Sequence, residues 1–264
     1  MATVKWIMQT MEAWAPTASA EPWDNVGLLI GSSTQQVKKI LVALDATMAV
    51  INEAISGKYD CIVTHHAIVY TPLKRVTTDD AVGRKIISLI KHGISLYTAH
   101  TNLDIATGGV NDCLAKKLGI KDTQPMIKHA TDGTIGTGRI GCLPEEMTLQ
   151  ELGHYVKKSL AIQDIRYCGD STKKIKKVAM CGGSGMSYWQ AAKECDVYIT
   201  GDIKYSDAND ALEANLSLLD ITHYSGEIFI LEAIVERLRS CAVQDGIEIE
   251  VNATLIDGQV FNTL

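Results

Sequence analysis

The chain has 264 residues, 46% of them hydrophobic, with 25 basic against 31 acidic side chains and a formal net charge of −6. That length allows one large domain or two of ordinary size, and the apolar fraction excludes disordered and fibrous architectures. No run approaches the roughly 18 apolar residues of a membrane span, and the negative balance argues against nucleic-acid binding through a basic surface.

At the N-terminus, Lys5 and Ala18-Ser19-Ala20 imitate a signal peptide, but Gln9, Thr10 and Glu12 break its apolar centre. Val4, Ile7, Met8 and Met11 recur instead at helical spacing, predicting a short amphipathic helix that stops near Pro16. Val37–Leu44 reads as a strand, followed by Asp45-Ala46-Thr47 capping a helix that closes at Gly57. Cys61–Thr64 is a short run of β-formers directly before His65-His66. A helix over Thr78–His92, a strand over Ile94–Ala99 and a helix over Gly108–Leu118 follow. Continuous apolar strands alternating with helices predict a mostly parallel sheet covered on both faces.

After about residue 120 the texture changes. Lys121–Arg139, with Pro125 and Thr131-Asp132-Gly133-Thr134, reads as loops or irregular strands. Helices over Thr148–Leu160, near Ser187–Glu194, over Ser206–Ala214 and over Ile228–Cys241 alternate with strands at Ile165–Cys168, Lys177–Cys181, Val197–Thr200, Leu216–Ile221 and Ile247–Val251. The expectation is an α/β protein of two linked three-layer domains, the second inserted in the first. Residues 1–125 plus 221–264 form one domain and residues 126–220 the other. The seven cysteines are odd in number, scattered and without a C-x-x-C pair, which fits a reducing, cytoplasmic setting and buried thiols acting as small hydrophobes.

Functional groups of parallel α/β sheets gather beyond the carboxyl ends of the strands. There this chain places Asp45, then His65 and His66, then His100, Asn102 and Asp104, then His223 and Glu227. Each alone has a plain alternative. An adjacent histidine pair can put one ring in the core and one in solvent; Asp104 can cap a turn; His223 and Glu227 can be a surface pair one helical turn apart. Three imidazoles and two carboxylates delivered by strand ends to one edge form a set that suits zinc, iron, manganese or cobalt. Five ligands exceed the three of a mononuclear catalytic zinc, and a carboxylate bridging two ions about 3.5–4 Å apart would use them. Such a pair generates hydroxide near neutral pH, which favours hydrolysis.

The segments EPWDNVGL (Glu21–Leu28), VTHH (Val63–His66), AHTNLD (Ala99–Asp104), ITGDIKY (Ile199–Tyr205) and HYSGE (His223–Glu227) carry a resemblance over the whole chain. Together they resemble the NGG-interacting-factor-three-like family of dinuclear metal proteins, in its short form without the extra insert domain. Members often bear the name type 2 GTP cyclohydrolase I. The resemblance implies two linked α/β domains, a toroidal homohexamer and two divalent metal ions facing the inner cavity. Carried over, the ligands are His65, His66, Asp104, His223 and Glu227, with Glu227 as bridge. His100 and Asn102 become groups behind the ligands or on the substrate side. Ser206 departs from the pattern, since many members have histidine there. The implied function is a metal-dependent hydrolase acting on a nucleotide or phosphorylated small molecule; the alternative is a non-catalytic metal carrier or interaction scaffold.

Weaker signals accompany these. Cys181-Gly182-Gly183-Ser184-Gly185 between a strand and a helix could cradle a phosphate or simply form a tight turn, and it is not a dinucleotide fingerprint. Asp202, Lys204 and Tyr205 are candidates to touch a nucleotide. Lys173–Lys177 reads as a solvated strand edge. His92, His129 and His154 carry no motif.

Overall fold

A computed structural model describes residues 2–262. The chain divides into two compact units: one from the chain up to Leu103 together with Leu231–Gly258, the other from Asp104–Ile230 together with the chain from Gln259. The two are linked α/β domains, the second inserted in the first.

The first unit is built on a five-stranded sheet in the order Glu250–Ala253, Lys39–Ala43, Cys61–Thr64, Ser95–Thr98, Gly27–Ile30. The first four run parallel and Gly27–Ile30 pairs antiparallel with Ser95–Thr98. Cys61–Thr64 and Ser95–Thr98 are buried at every residue, which is why they read as unbroken rather than alternating runs. Leu41, Ile62 and Leu96 from the sheet pack with Ile51 and Leu89 from helices Met48–Ser56 and Ala81–Lys91. Thr47 caps the first of these helices by accepting the Val50 amide, and Asp80 caps the second through the Gly83 amide. The amphipathic N-terminal helix is present at Val4–Glu12, with Val4, Ile7 and Met11 buried.

The second unit carries a six-stranded sheet in the order Lys121–Lys128, Gly136–Thr148, Lys174–Met180, Val197–Thr200, Ser217–Asp220, Arg166–Cys168. Its three inner strands from Lys174 onward run parallel, flanked by antiparallel partners. Lys121–Arg139, expected as loops or irregular strands, is largely a regular antiparallel hairpin. Its first strand is an exposed sheet edge over most of its length, so it shows no apolar alternation, and an edge tolerates Pro125. Helix Leu149–Leu160 starts at a capping box in which Thr148 and Glu151 satisfy each other's backbone amides. The helix expected near Ser187–Glu194 is a 3-10 helix at Gly185–Ala192.

The lysine run belongs to an interior strand rather than to an edge. Its parallel pairing begins only at Val178, however, and on that side the amides of Lys176 and Lys177 donate to the Asp196 carboxylate. The lysines therefore occupy the unpaired flank of a strand whose apolar half is central. Among the described residues no helix is long and apolar enough to cross a membrane.

Candidate metal centre

In the first unit, strand Cys61–Thr64 ends on His65 and His66, and strand Ser95–Thr98 ends two residues before His100. The three imidazoles form a triangle with ring centroids 4.9, 5.2 and 5.5 Å apart. Each offers a ring nitrogen, and those nitrogens all lie within 4.8 Å of one another, a grouping that could hold a metal ion.

Every ring in this triangle is held from behind at Nδ1. His65, fully buried, sets Nδ1 2.9 Å from the Ala99 carbonyl. His66 sets it 3.0 Å from Asp45, which lies two residues beyond the neighbouring strand Lys39–Ala43. His100 sets it 3.0 Å from both oxygens of Asp24. The Asp24 side chain has no exposed surface. Burial alone would raise its carboxyl, but hydrogen bonds from His100 and Thr101, with the His100 charge, hold it well below the usual carboxylate range. Asn102 is buried and spends both ends of its amide on backbone: Oδ1 accepts from the His100 amide and Nδ2 donates to the Ala15 carbonyl. It shapes the turn that presents His100.

In the second unit, His223 and Glu227 follow strand Ser217–Asp220, separated by the 3-10 turn Tyr224–Gly226. They are thus delivered by the six-stranded sheet, whereas His65 and His66 come from the five-stranded one. The expectation that one sheet edge supplies the whole set is corrected here. His223 Nε2 lies 3.2 Å from Glu227 Oε2, and its Nδ1 lies 2.7 Å from Asp202. Asp202, weighed in the sequence as a nucleotide contact, is in hydrogen-bond contact with His223 and orients its ring. The Glu227 carboxylate is buried, and Gly183 passes directly over it: a Cβ on Gly183 would fall 2.1 Å from Glu227 Oε1.

Asp104 lies in the short helix Thr101–Ile105. Buried Asn111 donates to the Asp104 carbonyl at 3.0 Å and accepts from the Gly182 amide at 3.0 Å. One amide side chain therefore fixes both the Asp104 backbone and the glycine turn. That turn is tight, with Gly183 at φ +62°, and two of its amides are in internal use, Gly182 on Asn111 and Gly185 on Thr200. Burial first, then the charges of Asp104 and Glu227, push the Cys181 thiol up to about 12, so it stays protonated beside these carboxylates.

The model of the Duf34/NIF3 family (NGG1p interacting factor 3) matches residues 2–257. The chain belongs to this family. A GTP cyclohydrolase 1 type 2 homolog from Clostridium perfringens is 42% identical over 240 residues, covering 89% of this chain and 92% of that protein. A Bacillus cereus protein related to NIF3 superposes with a TM-score of 0.95 at 26% identity, over 100% of both chains. A hypothetical protein from Staphylococcus aureus superposes with a TM-score of 0.92 at 32% identity, over 99% of each.

Two of the motifs contain partners whose hold on a histidine the sequence did not show. Asp24 sits in EPWDNVGL and Asp202 in ITGDIKY, yet only the fold shows that each holds a histidine at Nδ1. Asn111 lies outside every motif. The Ser206 hydroxyl donates to its neighbour Asp207 at 3.3 Å. Removing an orienting carboxylate typically costs 10–100-fold in metal affinity. Asp202→Ala and Asp45→Ala are each expected to weaken divalent-metal affinity by about that factor while the protein stays folded. Competition with a chromogenic chelator measures it, with circular dichroism as the folding control; unchanged affinity in both variants would remove the orienting role.

Proposed function

We propose that this chain binds two divalent metal ions through His65, His66, Asp104, His223 and Glu227, and uses them to hydrolyse a nucleotide or another phosphorylated small molecule. The observation that carries the metal reading is shared by all three histidines of the set. Each has Nδ1 facing an oxygen, from Ala99, Asp45 or Asp202, which directs Nε2 as the donor atom. Ligating histidines almost always have such a partner behind them, because it fixes the tautomer and raises ring basicity. The donor set is imidazole nitrogen and carboxylate oxygen: among the described residues, the groupings that could hold an ion contain histidine, aspartate and glutamate and no cysteine. That chemistry fits zinc, iron, manganese or cobalt.

When bound, such ions supply Lewis acidity and a hydroxide nucleophile at neutral pH. The chain's own residues do the rest. Glu227, buried and backed by Gly183, presents a carboxylate that cannot swing away. His100, clamped by Asp24, keeps a third imidazole at the His65–His66 pair, placed to hold or pass a proton at its other nitrogen. The nucleotide class is supported by the name that the Clostridium perfringens relative carries.

Elemental analysis of the protein reconstituted with each metal is the test. About two ions per chain are expected for the wild type, and fewer than one after His65→Ala. GTP and other nucleotides should be turned over by the loaded wild type and not by Glu227→Gln. A wild type that retains no divalent ion, or a His65→Ala protein with the full complement, overturns the metal assignment. Full metal with no turnover of any nucleotide or phosphodiester moves the function to a carrier or scaffold.

A further inference from the structure

Two large aromatic side chains stand at the surface beside His100. The Trp23 indole is 58% exposed and Tyr70 47% exposed. Their ring centroids lie 6.1 and 5.8 Å from the His100 ring, at interplanar angles of 71° and 90°. Both rings therefore stand steeply to the imidazole plane, in edge-type rather than stacked contact with it. Single exposed aromatics are ordinary on protein surfaces. Two that share one neighbour, at a histidine packed on the His65–His66 pair, are a different arrangement.

The two aromatic residues are fixed in place. Next to Trp23, buried Asp24 accepts from His100, from the Thr101 amide at 3.0 Å and from the Thr101 hydroxyl at 2.5 Å. Next to Tyr70, the Val69 carbonyl accepts the Asn25 side-chain amide at 2.7 Å. That last bond ties the segment bearing Trp23 to the segment bearing Tyr70. Each aromatic residue thus sits one position from an anchor, so little ordering remains to be done when a ligand arrives. The Tyr70 hydroxyl is 3.4 Å from His100 Nε2, which turns its polar end toward the imidazole.

We infer that Trp23 and Tyr70 are the walls of a subsite for a planar heterocycle, a purine base, held beside His100. The inference rests on the nucleotide reading above and names the part of the ligand that is gripped. The chemistry is stacking: every base offers a π-face, and aromatic side chains grip it without reading its hydrogen-bonding edge. Hence purines with different edges should bind comparably, and the base should add affinity that a phosphate chain alone lacks.

Calorimetric titration of the metal-reconstituted full chain with GTP, ATP and inorganic tripolyphosphate tests this. The wild type should bind GTP and ATP more tightly than tripolyphosphate. Trp23→Ala and Tyr70→Ala should each weaken GTP binding roughly tenfold, leaving tripolyphosphate affinity and metal content unchanged. Trp23→Phe and Tyr70→Phe should recover most of the loss, which a merely misfolded loop would not. The subsite is overturned if both alanine variants bind GTP like the wild type. It is equally overturned if the wild type prefers neither purine to tripolyphosphate, or if the variants change the mass of the assembly and not nucleotide affinity. Metal content, measured on the same samples, separates the two failures. Intact metal with unchanged GTP affinity sinks the subsite alone, whereas absent metal sinks the dinuclear reading.

Discussion

Arg139→Ala is expected to destabilise the protein by about 3 kcal/mol, a fall of roughly 6–12 °C in Tm. Arg139 is only 2% exposed, an unusual place for a guanidinium. It reaches the Asp112 carboxylate through Nε and donates to the carbonyls of Gly136 at 2.7 Å, Gly138 at 2.8 Å and Ala106 at 3.4 Å. Truncation leaves these buried acceptors without their donor and leaves Asp112 without its cation. Breaking a buried ion pair from one side costs about 3–5 kcal/mol, and the part-exposure of Asp112 places this case at the lower end. Asp112→Asn should cost less, about 1 kcal/mol, because the guanidinium keeps its three carbonyls. Urea unfolding of both variants decides it. The expected order is Arg139→Ala well below Asp112→Asn, and equal midpoints would mean that the carbonyl contacts contribute nothing. The loss also bears on the site, because Asp112 lies on helix Val110–Lys117, whose Asn111 fixes the Asp104 backbone and the glycine turn.

What was legible in the sequence follows from where each interaction is made. Helix Met48–Ser56 was readable because its start and stop, Thr47 and Gly57, are local. Strand Cys61–Thr64 was readable because total burial leaves a pure apolar run. The hairpin from Lys121 was not, since its outer strand is exposed and its pairing supplies the order that composition lacks. The histidines were legible as candidates because they follow strands, a chain-order property. Their partners were not: His100 finds Asp24 across 76 residues, and His66 and His223 find Asp45 and Asp202 across 21. Nor could the pattern show that His223 and Glu227 follow a strand of the other sheet, because apolar runs do not state which neighbours they pair with. Asn111 carried no signal at all. A buried asparagine on an amphipathic helix looks like any polar residue until both ends of its amide are seen in use.

Gly183→Ala is the substitution expected to hurt the site most for the smallest chemical change. Gly183 has φ +62°, in the left-handed region where a Cβ costs about 1–2 kcal/mol. The added methyl would also fall 2.1 Å from Glu227 Oε1 and 3.4 Å from His223 Nε2. The carboxylate is buried and cannot retreat into solvent, so the clash adds about 1–3 kcal/mol of overpacking. Either the turn moves or Glu227 does, and both displace a proposed ligand. The expected result is a loss of about 2–5 kcal/mol in stability, the sum of those two effects, with metal affinity down at least tenfold. Gly153→Ala supplies the contrast. Its site in helix Leu149–Leu160 has nothing within 4 Å of a new Cβ, so alanine there should stabilise by up to about 1 kcal/mol and leave metal affinity alone. Opposite signs from the same glycine-to-alanine change would locate the effect in the Gly183 turn, in its left-handed backbone together with its approach to Glu227. A Gly183→Ala protein as stable and as metal-competent as the wild type would mean that the turn has room to yield and that Glu227 is not held where a ligand must be.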